Sequence, residues 1–210
     1  MPNPSKWLLY LCLCLVGAGG LSAALMVRNS ARPDPGLATG VMLEPRRDLP
    51  DFHLIDHRGR DFAHANLLGH WSMLYFGYTN CPDLCPATLS TLAAMEKRMR
   101  SAPESRPQVV FFSVDAARDT PAQLAGYVPY FDPEFLGVTA RDQSTVEKVA
   151  ADLGVAVYIR RDSDGTYSVD HSGAILVVDP AGRLAAILTG PFTVDGLTHD
   201  FRRISSAAPS

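Results

Sequence analysis
From residue 49 onward, apolar positions gather into short runs, separated by stretches in which they recur every three or four residues. "WSMLYFG" (71–77) and "QVVFFSVD" (108–115) are β-prone and mostly apolar at successive positions, the pattern of strands buried on both faces. Between them, residues 86–100 place Leu92, Met95 and Met99 at helical spacing, with Leu89 beside them. "TPAQLAGYVPYF" (120–131) puts Thr120 ahead of Pro121, an N-cap and first-turn signature that opens a short helix. "EFLGVTA" (134–140) reads as a third strand, and "DQSTVEKVAADLG" (142–154) as a helix that stops at Gly154. "VAVYIRR" and "TYSVDH" flank Asp164-Gly165, a hairpin signal. "GAILVVD" and "RLAAIL" flank "PAG" as a second hairpin-like pair, and "TVDGLTHDFRRI" reads as a closing helix. Helices alternating with buried strands imply an α/β domain with a mixed sheet covered on both faces, and the closing hairpin and helix match a thioredoxin-like arrangement.

The N-terminal fifth is different. Residues 7–27, "WLLYLCLCLVGAGGLSAALMV", hold no charge, and Trp7 and Tyr10 lie at one end of the run. At about 1.5 Å per residue, such a helix spans roughly 30 Å, the hydrocarbon thickness of a bilayer. Residues 1–28 therefore read as a membrane anchor, or as a cleaved signal peptide with Ser22-Ala23-Ala24 as the cleavage site. Either reading exports the rest of the chain. Residues 29–48, rich in Pro, Gly and Arg and without periodicity, read as a tether. The folded domain is expected over residues 49–205. The expected location is a bacterial inner membrane, crossed once, with the domain facing the periplasm.

Composition narrows the partners. The formal net charge is −3; outside residues 1–32 there are 16 basic and 22 acidic residues, a net of −6. An acidic domain without a basic run repels phosphate, which argues against nucleic acid.

Candidate chemistry centres on "NCPDLCP" (80–86), in which Cys81 and Cys85 are separated by three residues and each precedes a proline. A residue before proline avoids the α region, and proline suits the first helical position. Cys85 is therefore expected at a helix N-cap, with Cys81 on the entering loop, at the carboxyl end of a strand where α/β sheets place their sites. The dipole there favours thiolate. Two such thiols can form a redox-active disulfide or hold a soft metal, and as an inert staple they would close only a tiny loop. Cys12 and Cys14 sit inside the apolar segment and read as small hydrophobes.

Cu(I) favours thiolate and imidazole, and a trigonal site needs a third donor. His171 ends a hairpin strand and precedes Ser172-Gly173, where a turn can aim its ring at a neighbouring strand end; spacing alone favours a packed or solvated side chain over a ligand. His53, His57, His64 and His70 lie before the first buried strand as a possible accessory metal group or as surface scatter, and His199 reads as a helix surface residue.

Four blocks in order, "YFGYTNCPDLCP", "SVDAARDTP", "YVPYFDPEFLGVT" and "DHSGAILVVDPAGR", resemble the Sco/SenC family of membrane-anchored copper chaperones over about residues 49–200. The resemblance implies a thioredoxin-like fold, copper held by Cys81, Cys85 and His171, and delivery to the binuclear copper centre in subunit II of cytochrome c oxidase. It also implies a thiol reductant and a copper donor as partners. Asp115, in the second block, is a possible additional ligand or a strand-end residue capping a loop; Ala116-Ala117 stand where many members carry Pro-Glu. Asp83 between the cysteines orients their loop or faces water, and Asp170 should point away from His171 by strand alternation. The principal alternative is an enzyme, a membrane-tethered thiol–disulfide oxidoreductase acting on the cysteines of the same target without need of His171. A peroxidase and a zinc site are weaker readings, the latter because a structural zinc needs a fourth ligand.

Overall fold
The computed structural model describes residues 36–100, 106–161 and 164–207; the apolar segment read as an anchor lies outside them. The body is built on an eight-stranded mixed sheet in the order β1-β10-β9-β4-β5-β6-β2-β3. The strands are β1 (Gly40–Asp48), β2 (His53–Asp56), β3 (Asp61–Ala63), β4 (Ser72–Gly77), β5 (Gln108–Ser113), β6 (Leu136–Thr139), β9 (Ile175–Val178) and β10 (Arg183–Leu188). Strands β4, β5 and β6 run parallel, and the flanking pairs are antiparallel. A separate two-stranded sheet is formed by β7 (Val157–Arg161) and β8 (Tyr167–His171). The helices are α1 (Leu84–Met99), α2 (Pro121–Phe131), α3 (Gln143–Asp152) and α4 (Val194–Ser206).

Alternation along the central strands divides the core in two. Met73 and Tyr75 of β4, with Val109 and Phe111 of β5, face Leu89, Leu92 and Met95 of α1, Leu124 and Val128 of α2, and Phe201 of α4. Leu74 and Phe76, with Val110 and Phe112, face Val146 and Val149 of α3 and Val169 of the β7–β8 hairpin. Both alternating sets are buried, hence the continuous apolar runs in the sequence. The helix starts follow their caps: Thr120 accepts from the Gln123 amide ahead of Pro121, and Asp142 accepts from that of Thr145.

Two expectations need correction. The tether read over residues 29–48 contains strand β1, which pairs with β10. Pro45 and the paired arginines hid it. Proline is tolerated on an edge strand, and the ladder shifts register between Met42 and Arg47. Arg46 turns inward to the buried carboxylate of Asp179 at 2.9 Å. Short strands β2 and β3 likewise occupy the segment read only as a polar lead-in. Second, helix α1 begins before the proline: Asp83 is its N-cap, and Cys85 lies inside the first turn. The Ala87 amide bonds to the Asp83 carbonyl, closing a turn around Cys85. Burial of the Cys85 side chain offsets the local bias against α geometry before proline.

Candidate metal centre
Strand β4 ends at Gly77; the loop after it carries Cys81 and leads into the first turn of α1, which carries Cys85. A Cβ on Gly77 would lie 2.9 Å from the Cys85 sulfur and 2.7 Å from the Phe111 ring, so only glycine lets this sulfur pack against the strand end. Asp119, buried beyond the end of β5, ties the loop down. It accepts from the Thr79 amide (2.9 Å), the Thr79 hydroxyl (2.6 Å) and the Ser113 hydroxyl (2.7 Å). Three bonds on one carboxylate in a dry environment make a stiff mount.

Both cysteines are free thiols, Cys85 buried and Cys81 partly exposed. The Cys81 sulfur accepts from the Cys85 amide at 3.4 Å, as a donor-rich helix start allows. The expected lowering of the Cys85 thiol does not hold. Burial pushes it up to about 12, with the hydrogen bond to the Cys81 side chain adding to the rise. Loss of hydration here outweighs the helix dipole. A soft cation can substitute for the proton and remove the cost of the buried anion.

His171 arrives from the other side. It is the last residue of β8, opposite Val157, and its Nε2 lies 3.7 Å from the Cys85 sulfur. Its Nδ1 is 3.1 Å from the Ser172 carbonyl. A carbonyl can only accept, so Nδ1 carries the proton and the Nε2 lone pair faces the sulfur. Burial holds the ring below the usual histidine range, which favours this neutral form. With metal bonds of about 2.3 Å to sulfur and about 2.0 Å to nitrogen, as at zinc, two donors of a trigonal site lie about 3.7 Å apart. The Cys85–His171 separation matches that span without rearrangement. Among the described residues no three ligating side chains are closed into a full cluster, so Cys81 would complete the set only on rearrangement. The site opens into a groove of about 730 Å³ lined largely by apolar groups, including Leu84, Ala87, Pro191 and Phe192.

The other candidates go elsewhere. Asp115 is 1% exposed, and its carboxylate accepts from the Tyr167 hydroxyl at 2.8 Å and pairs with Arg118. A metal would have to displace both partners. Asp83 is exposed and its side chain caps nothing. Asp170 points outward to Arg160, as alternation requires. The remaining histidines do not assemble: His53 is exposed on β2, His57 accepts from the Gly137 amide, His64 meets the Gly182 carbonyl, His70 meets Gln108, and His199 meets Asp200. Sequence reasoning passed over Tyr78, Arg118 and Tyr167, which surround the site. The Tyr78 ring stands edge-on to His171 at 5.9 Å. Their signals were present, in Arg118 three residues after Asp115 and in the period-two series Tyr167, Val169, His171.

Comparison with known proteins gives one consistent result. The family model described as SCO1/SenC matches residues 42–206. A putative copper-binding protein of Stutzerimonas stutzeri is 35% identical over 158 residues, 75% of this chain and 77% of that protein. The mitochondrial SCO2 homolog of Homo sapiens is 41% identical over 173 residues, 80% of this chain and 64% of that protein. Among solved structures, Arabidopsis thaliana ScoI with copper bound superposes with a TM-score of 0.69 at 33% identity, covering 74% of this chain and 96% of that one. Yeast Sco1 with copper bound also gives 0.69, at 31% identity, covering 78% of this chain and 92% of that one. The shared architecture is the thioredoxin-like α/β fold expected from the sequence.

Proposed function
The chain belongs to the SCO1/SenC family, and from that premise we propose that it is a copper chaperone. It takes copper between the thiolates of Cys81 and Cys85 and the imidazole of His171, and delivers it to the binuclear copper centre in subunit II of cytochrome c oxidase. The observation that carries the reading is the pairing of His171 with Cys85, Nε2 to sulfur at 3.7 Å, in the tautomer that leaves a lone pair for a metal. Copper-bound relatives of the same fold support the choice of metal. Three-coordinate copper leaves a position open for an acceptor ligand, so transfer proceeds by ligand exchange, with the groove as the route of approach.

The uncharged stretch over residues 7–27 supports placing the protein in a bacterial inner membrane, with the domain in the periplasm. Tethering there raises its effective concentration near a membrane-bound oxidase. In an oxidising compartment the free thiols become a disulfide, so the cycle needs a thiol reductant as well as a copper donor.

The test is X-ray absorption on the protein loaded anaerobically with Cu(I), beside the His171→Ala and Cys85→Ala variants. The expected first shell is two sulfurs and one nitrogen in the parent, with the nitrogen lost in His171→Ala and copper retention lost in Cys85→Ala. A nitrogen that survives His171→Ala overturns the ligand assignment. The thiol–disulfide alternative requires disulfide exchange with a target cysteine pair that His171→Ala leaves intact, while delivery of copper to the target fails to depend on His171.

A further inference from the structure
The β7–β8 hairpin stands outside the eight-stranded sheet and shares no backbone ladder with it. A lone two-stranded ribbon is marginally stable in water, so side chains must hold it in place. Strand β8 has one inward series, and each member has a different partner. Val169 is buried in the core. His171 meets Cys85. Tyr167, at the far end, gives its hydroxyl to Asp115 at 2.8 Å, and its carbonyl accepts from Arg118 Nη1 at 3.2 Å.

Arg118 joins these parts. Its guanidinium carbon lies 3.8 Å from the centre of the Tyr167 ring and 5.5 Å from that of Tyr78, while Nε pairs with the buried Asp115. One planar cation thus touches the hairpin through Tyr167 and the cysteine loop through Tyr78, and Tyr78 in turn packs edge-on against His171. Desolvated cation–π contacts and a charge-assisted bond to a buried carboxylate are the strong members of their classes.

We infer that Arg118, oriented by Asp115, is a positioning residue that latches the β7–β8 hairpin to the cysteine loop and thereby holds the His171 ring over Cys85. The inference rests on the copper-binding reading for its consequence, though not for its geometry. The latch sets how long His171 stays in place, and so the rate at which a bound Cu(I) can be released to another ligand. The sulfur pair, mounted separately on Asp119, does not depend on it.

The experiment uses the full chain and three variants: Arg118→Lys, which keeps the charge and loses the planar fork; Tyr167→Phe, which keeps the ring and loses the bond to Asp115; and His171→Ala. Hydrogen exchange on the metal-free protein should speed up in β7 and β8 in both latch variants, with β4 and β5 unchanged. Release of Cu(I) to a competing cuprous chelator should accelerate by roughly tenfold, the low end of what loss of a ligand-orienting partner costs. In the His171→Ala background, Arg118→Lys should add nothing, because residues acting through one group are non-additive. Unchanged hairpin exchange in both latch variants overturns the latch, as does an Arg118→Lys effect on release that persists without His171. Should the parent chain take up no Cu(I), the copper reading fails, and the exchange measurement still decides the latch.

Discussion

The two halves of the proposed site are mounted in opposite ways. The cysteine loop leaves β4, a strand paired on both sides by β5 and β9, and it is pinned by three hydrogen bonds to the buried Asp119. The His171 hairpin has no ladder to the main sheet and reaches the body through Val169, Val157 and Ile159 on the core and through the contacts of Tyr167 and His171. One half is continuous with the core; the other is a ribbon laid against it. A soft-metal carrier benefits from this difference. In the proposed site, two sulfurs on a fixed mount would keep the affinity, and an imidazole on a separable element would let the coordination open without unfolding the domain. Damage to the first half should therefore be global, and damage to the second local.

The largest expected effect comes from the fixed half. Gly77→Ala forces a methyl group against the Cys85 sulfur and the Phe111 ring, and overpacking of this kind costs about 1–3 kcal/mol. The denaturant midpoint should fall for the whole domain, with all probes moving together; a change confined to copper binding would show that the loop is not coupled to the core.

A smaller effect is expected at the other end of the helix that bears Cys85. Burial raises the Glu96 carboxyl from 4.5 to about 7, against the opposing pull of Arg106. A folded value above the unfolded one means that the proton favours the folded state. This contribution is fully present below about pH 4.5 and is lost as pH rises through about 7. Thermal melting of the parent should drop across that window more than that of Glu96→Gln, while hairpin exchange in the two proteins stays alike. Equal pH profiles would remove Glu96 from the account.

The smallest effect belongs to the outer face of the hairpin. Asp170 pairs with Arg160 where both are well exposed, and such pairs are worth about 0–1 kcal/mol. Asp170→Asn should leave melting and Cu(I) release within error of the parent. A marked change in release would mean that residue 170 acts on its neighbour His171, contrary to the alternation of the strand.

Much of this molecule could be read directly. Buried strands β4 and β5 announce themselves as unbroken apolar runs because both of their faces meet core, and Thr120 and Asp142 mark helix starts because their side chains replace missing backbone partners. Strand β1 was illegible for the converse reason. An edge strand with a proline and a register shift carries no periodicity, and its inward arginine meets its carboxylate, Asp179, 133 residues away.

The thiol pair, its place beside a strand end and a helix start, and the family could be read from residues adjacent along the chain. Folding was needed to bring His171 to Cys85 across 86 positions, to bury the Cys85 thiol and push it well above the ordinary range, and to commit Asp115 to Arg118 and Tyr167. Proton affinity and ligand reach depend on what surrounds a group in space, and that surrounding is assembled from segments that are remote from one another until the chain folds.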